Sequence, residues 1–205
     1  TVPLYYENRG EKLKLDNPKI NEDIKSKIEE FDLDDDQTEK LKRLFAKEYP
    51  ILTAKKRLKS IAKDVIKHFN TRGYKGKALF IALDKVTAVR MYDYMLAALQ
   101  TYILELEKEI KRIPDEQEQL IAQRQLNWVK ETEISVVVSS EQNEIKKFRD
   151  WDLDILPHRE KMNDRDLEKE FKDEENPFRI AIVCAMWITG FDVPSLSTLY
   201  IDKPL

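Results

Sequence analysis

The 205-residue sequence is poor in the residues that staple, hinge or anchor a chain: it has one cysteine, two histidines and four glycines. A lone thiol, Cys184, can close no internal disulfide, which suits a reducing compartment. Two histidines and one cysteine are too few for a structural zinc site. No apolar run reaches the roughly 18 residues needed to cross a bilayer. The opening TVPLYYENRG has neither the basic start nor the apolar core of a secretion signal. The expectation is a cytoplasmic protein with no membrane partner.

Charge is what the sequence has in quantity. Charged residues make up 37% and apolar ones 41%, the balance of a soluble, helix-rich domain. The net charge of -3 argues against a generic polyanion binder, but the field that a nucleic acid feels is local. Residues 55–77 carry nine Lys and Arg against one acid, Asp64. Within this island Lys56, Lys59, Lys63 and Lys67 stand three or four apart, one stripe of a helix. The apolar residues Leu58, Ile61, Ala62, Val65, Ile66 and Phe69 form the neighbouring stripe. Facing a cleft, the lysines would grip phosphates; facing away, they would only solubilise. The acids at 32–36 lack the glycine and terminal glutamate of a calcium loop.

Read along the chain, residues 1–50 form an extended start and two charged helices, about 18–31 and 37–48. From residue 51 the helix just described leads through Gly73 and Gly76 to KALFIAL, an apolar run of strand length. Val86, Val89, Tyr92, Leu96, Leu99, Ile103, Leu106 and Ile110 then mark a long helix. Pro114 closes it, and a further helix folds back to about Lys130. EISVVVS reads as a strand, SSEQNEIKKF as a loop entering a helix, and RIAIVC and TLYID as two more strands. Residues 160–175, with eight acids and four bases, read as a solvated helix or a mobile connection. Apolar strands without alternation, separated by helices, imply an α/β fold: a parallel sheet covered on both faces. Ligands on such sheets sit at the carboxyl ends of the strands, so the loops after Leu83, Val138, Cys184 and Ile201 are the places to look.

The loop after Cys184 is chemically the most unusual. Nine apolar residues, 180–188, run straight into Thr189, Gly190 and Asp192. Glycine accepts positive φ and close approach. The threonine hydroxyl suits a phosphodiester oxygen, and the carboxylate suits a sugar hydroxyl. Ser139 and Ser140, ending an interior strand, are either backbone-phosphate contacts or the cap of the next helix. His68 reads as a helix C-terminal residue favoured by the dipole, His158 carries no assigned chemistry, and Cys184 reads as core.

VCAMWITGFDVPSLSTLYIDKPL resembles motif V of the motor subunit of type I restriction enzymes, a superfamily 2 helicase-type translocase. VPLYYENR, LTAKKRLKSIAKDVIKHF, KALFIALDKVTAVRMYDYM and ISVVVSSEQNE resemble other segments of that family, in the same order. The resemblance implies a helical extension over residues 1–50 and a second RecA-like motor domain over residues 51–205. It implies that Thr189 contacts the DNA backbone, with Ser139 and Ser140 as further candidates; Lys56, Lys59 and Lys63 are candidate DNA contacts on the spacing of the lysine stripe alone. Gly190 would let the strand approach, and Gly190 and Asp192 would serve the nucleotide side. ATP and Mg2+ would act in the intact subunit. Double-stranded DNA, the other domains of the subunit, and methyltransferase and specificity subunits would be its partners.

The P-loop pattern GxxxxGK[ST], the acidic box and an arginine-bearing last motif are absent from the sequence. The expectation is therefore a fragment of an endonuclease subunit, cut before its final motif, with no catalytic residue of its own and no ATP hydrolysis alone. The alternative is a non-catalytic α/β binding module in which TGFD is an ordinary turn and the basic helix a docking face.

Overall fold

The computed structural model describes Tyr5, Glu7, residues 51–188 and residues 190–203. The extension expected over residues 1–50, with its acids at 32–36, and Thr189 lie outside the described residues. The chain divides into two compact units between Ile61 and Ala62, within helix α1 (Lys55–Thr71). The sheet belongs to the second unit.

After α1 come β1 (Lys77–Ala82), α2 (Lys85–Ile110), α3 (Glu116–Glu131), β2 (Glu133–Val137), α4 (Glu144–Asp150), α5 (Leu156–Asp164), α6 (Leu167–Lys172), β3 (Phe178–Val183) and β4 (Leu196–Asp202). The strands form one parallel sheet in the order β2-β3-β1-β4. All six residues of β1 are buried, as expected for a central strand covered on both faces. Side chains alternate across a strand, and the two layers follow from that. Leu79 and Ile81 face Leu167 and Phe171 of α6 in one core, against which Met162 of α5 packs. Phe80 faces the other way, beside its registered partner Tyr200. There His68 of α1 meets Tyr200 through an Nδ1–hydroxyl hydrogen bond of 2.7 Å, and Phe69 stacks on Trp128 of α3 at 5.6 Å. The second half of α1 and α3 thus lie on one side, and α5 and α6 on the other. This is the expected α/β, RecA-like arrangement.

Local chemistry starts the helices where the sequence allows. Asp84 accepts a hydrogen bond from the Thr87 amide at 2.7 Å, and Asp115 accepts one from the Glu118 amide at 2.8 Å, so α2 and α3 begin on carboxylate caps. Ser140 does not cap α4. The cap position is Asn143, with φ 58° and no side-chain hydrogen bond.

Three other expectations change. The charged stretch 160–175 is the solvated helix of the two readings only in part: most of it lies in α5 and α6 with its charged residues largely exposed, but Phe171 and Leu167 are buried and several of its charges are paired. Arg165 reaches Glu133 at 2.7 Å and also binds Glu170, while Lys161 reaches Glu133 at 2.6 Å. Burial opposes ionisation of Glu133, but the hydrogen bonds from Arg165 and Lys161 outweigh it and hold the carboxyl pKa at about 2. His158 lies in α5 rather than in an irregular stretch, packed edge-on against Tyr92 at 4.6 Å. Burial, aided by the charge of Lys161, lowers its pKa to about 4, so it is a neutral packing residue. Lys77 does not belong to the basic surface. It is 1% exposed, and its Nζ donates to the Glu170 carbonyl at 3.0 Å. Among the described residues no helix is long and apolar enough to cross a membrane.

Candidate functional site

β3 stops at Val183, so residues 184–188 of the apolar run leave the sheet. The physical reason is topological. β4 runs parallel to β1, so the chain must return from the carboxyl edge to the amino edge before Leu196. Ala185, Met186 and Ile188 are exposed along this return, and Trp187 turns the backbone at φ +63°.

At the carboxyl edge the strand ends are tied together. The Cys184 thiol donates to the Leu83 carbonyl at 3.8 Å, and Lys203 Nζ donates to the Cys184 carbonyl at 3.5 Å. Burial and the nearby Asp84 carboxylate raise the thiol pKa, so Cys184 is held protonated, in keeping with a packing role. Arg159 of α5 donates to the carbonyls of Val138 at 2.7 Å and Ser139 at 2.8 Å and grips Glu144 with two nitrogens, at 2.6 and 2.8 Å. That clamp fixes the end of β2 and leaves Ser139 and Ser140 exposed. Next to them Glu141 collects two lysines, Lys85 at 3.2 Å and Lys147 at 2.7 Å, and these hydrogen bonds lower its pKa. Such exposed pairs are weak, so both ammonium groups remain available to a stronger anion.

The bend at Gly190 is anchored away from that edge, over Phe171 of α6, whose ring also meets Lys77 and Phe178 at the amino ends of β1 and β3. Trp187 and Phe191 stack at 4.4 Å and 8°, and both lie over Phe171 of α6. Gly190 is exposed with φ +70°, and a Cβ built there would meet nothing within 4 Å. Its conformation needs glycine; its surroundings are open. Asp192 is exposed beside it. The bend and the serine loop are therefore carried by the consecutive helices α6 and α5 on one face of the sheet.

The lysine stripe is placed differently. Lys56, Lys59 and Lys63 are exposed on α1, but Lys63 belongs to the part of α1 whose His68 and Phe69 pack on the opposite face. The structure brings Gly190, Asp192, Ser139 and Ser140 to one side and leaves Lys63 on the other. The sequence reading missed Lys85, Glu141 and Lys147, of which Glu141 lies in the loop after Val138 and the two lysines lie in the helices that follow the loops after Leu83 and Val138. It also missed the ring pair Trp187 and Phe191, whose signal was two aromatics four apart around a glycine. Among the described residues no group of three His, Cys, Asp or Glu converges on a metal-sized site. No step is assigned to Mg2+ on these residues.

A family model of type I restriction enzyme subunit R, domain 3, matches residues 74–205. A putative type I restriction enzyme MjaIXP endonuclease subunit of Methanocaldococcus jannaschii is 33% identical over 207 residues, covering 100% of this chain and 16% of that protein. The type I restriction enzyme HindI endonuclease subunit of Haemophilus influenzae is 26% identical over 207 residues, again with 100% and 16% coverage. A putative MjaVIIP endonuclease subunit of M. jannaschii is 29% identical over 225 residues, covering 100% of this chain and 18% of the relative. The chain thus spans less than a fifth of the length of these relatives.

Proposed function

The chain belongs to the type I restriction enzyme subunit R family, and from that membership we propose that it forms the second motor domain of an ATP-dependent DNA translocase and endonuclease subunit. In this reading it supplies contacts to the backbone of double-stranded DNA and to ATP. The other domains of the subunit, and methyltransferase and specificity subunits, are its partners. The observation that carries the reading is the open, left-handed bend at Gly190 with Asp192 beside it, on the same face as the serine loop.

The chemistry follows from what these groups can do. Hydroxyls and amides grip phosphates without reading sequence. Ser139, Ser140 and Thr189, the sequence neighbour of Gly190, fill that role, and Lys85 and Lys147 add charge. Asp192 accepts a hydrogen bond from a ribose hydroxyl of ATP, the motor's substrate. Because Asp192 and Thr189 are only three residues apart in the chain, a shift on the nucleotide side would move the DNA side. Lys63, on the opposite face of the sheet, contributes a long-range field rather than a contact, and Lys56 and Lys59 are proposed phosphate contacts.

In the intact subunit, Asp192→Ala is expected to spare DNA binding and depress translocation. An unchanged translocation rate would remove Asp192 from the coupling path. The 205-residue chain alone, lacking a P-loop, is expected to release no phosphate in the presence of DNA and ATP.

A further inference from the structure

We propose that Trp187 and Phe191 are positioning residues: a ring-on-ring bracket that fixes where Gly190 and Asp192 stand, with α6 as its base. The inference rests on the coupling role just given to the bend and goes beyond it, since neither ring touches DNA or nucleotide in that reading.

The backbone supplies the first argument. A bulky residue at positive φ is an outlier that persists only where its surroundings over-determine it, and Trp187 sits at φ +63°. The rings supply the second. Trp187 and Phe191 lie nearly parallel at 4.4 Å, so the four-residue step from one to the other is closed by its own side chains. Phe171 backs both, at 5.5 Å from Trp187 and 6.2 Å from Phe191. It is fully buried and packed on Phe178 of β3 at 5.0 Å. On the outer side Lys172 Nζ stands 5.1 Å from the centre of the Phe191 ring, a cation–π contact. The bend is thus tied through Phe171 to the sheet. Both outer rings are only half-buried. Filling the core would need neither a left-handed tryptophan nor parallel planes.

The test compares Phe191→Leu, which keeps an apolar side chain but cannot stack, with Phe191→Tyr, which stacks and can turn its hydroxyl to water. Both are made in the full-length subunit assembled in its restriction complex, with Asp192→Ala alongside. DNA affinity, translocation rate and ATP consumed per base pair travelled are measured for each. A merely unstable domain lowers the active fraction and leaves the ATP-per-base-pair ratio where it was; a misplaced bend raises it. Phe191→Leu is expected to slow translocation about tenfold, the scale of a small misplacement at a working site. The ratio should rise, DNA affinity should hold, and Phe191→Tyr should run like the unmodified subunit. Phe191→Leu at full speed while Asp192→Ala is slow overturns the bracket and leaves the coupling role standing. Phe191→Leu and Phe191→Tyr slowed alike, with the ratio unmoved, also overturns it. Phe191→Leu and Asp192→Ala both at full speed remove the coupling role and the bracket together.

Discussion

The two edges of the sheet use the same residue types to opposite ends. At the amino edge Gly76 has φ +129°, and a Cβ there would lie 2.5 Å from the Ser197 hydroxyl and 2.9 Å from the Ser195 carbonyl. In the loop that leaves the sheet after β3, Gly190 has φ +70° and open space around it. At the amino edge Lys77 is buried, donating to the Glu170 carbonyl at 3.0 Å and lying 5.2 Å over the Phe171 ring. At the carboxyl edge Lys85 shares Glu141 with Lys147 near the surface. One edge is closed by contacts that have no room for a ligand. The other holds its polar groups in weak, solvent-reachable pairs. The difference teaches that residue type does not mark a site on this sheet. Unfilled space beside fixed backbone does.

The largest effect that tests this contrast is on stability. Gly76→Ala is expected to cost about 3 kcal/mol of unfolding free energy in urea titrations, because left-handed strain and overpacking against backbone each contribute. Gly190→Ala meets strain alone and should cost about 1 kcal/mol. Equal losses would erase the distinction between the two glycines.

A smaller effect is expected with pH. Burial lowers the Lys77 pKa from 10.5 to about 8, against the opposing pull of Asp173. Between those values the folded chain releases a proton that the unfolded chain keeps, so this residue's contribution makes stability rise with pH. Below about 8 the full penalty of the buried charge is present. Lys77→Met should flatten the slope between pH 8 and 10.5 relative to the unmodified chain. An unchanged slope would mean that Lys77 is solvated like a surface lysine.

The smallest effect separates the lysines by partner. In the intact subunit Lys85→Ala should reduce the salt slope of DNA affinity by about one, and Lys77→Met should leave it alone. A matched response would remove Lys85 from the DNA surface.

Much of the fold was legible. The three-and-four spacing from Val86 to Ile110 marked α2, and the unalternating KALFIAL marked β1, because helix and strand periods are imposed by neighbouring residues. Parallel pairing followed from the apolar character of the strands on both faces. Part of the candidate site was legible too: Gly190 and Asp192 stood out as polar handles after an apolar run, and the structure shows both exposed. The end of β3 was read within one residue, RIAIVC against Phe178–Val183, although the run 180–188 is apolar throughout and only its first part pairs. What stops the strand is the need to return to the start of β4, and periodicity carries no trace of that. The same holds for residues 160–175. Their charge pointed to solvent, where most of them do lie, but it gave no sign that Arg165 and Lys161 find Glu133 in β2 or that Phe171 sits in the core between charged neighbours.

The sequence by itself determined the periods, the strand-forming runs, the α/β class and the ordered motifs that tie the chain to its family. All of these are written in residues close to one another, where backbone geometry translates pattern directly into structure. Only the tertiary structure decided the strand order, the burial of Lys77, the separation of Lys63 from the bend, and the seating of that bend on α6. Each depends on contacts between residues far apart in the chain, such as Lys77 with Glu170 and His68 with Tyr200, separated by 93 and 132 positions. Which face a side chain meets is settled when those distant segments pack.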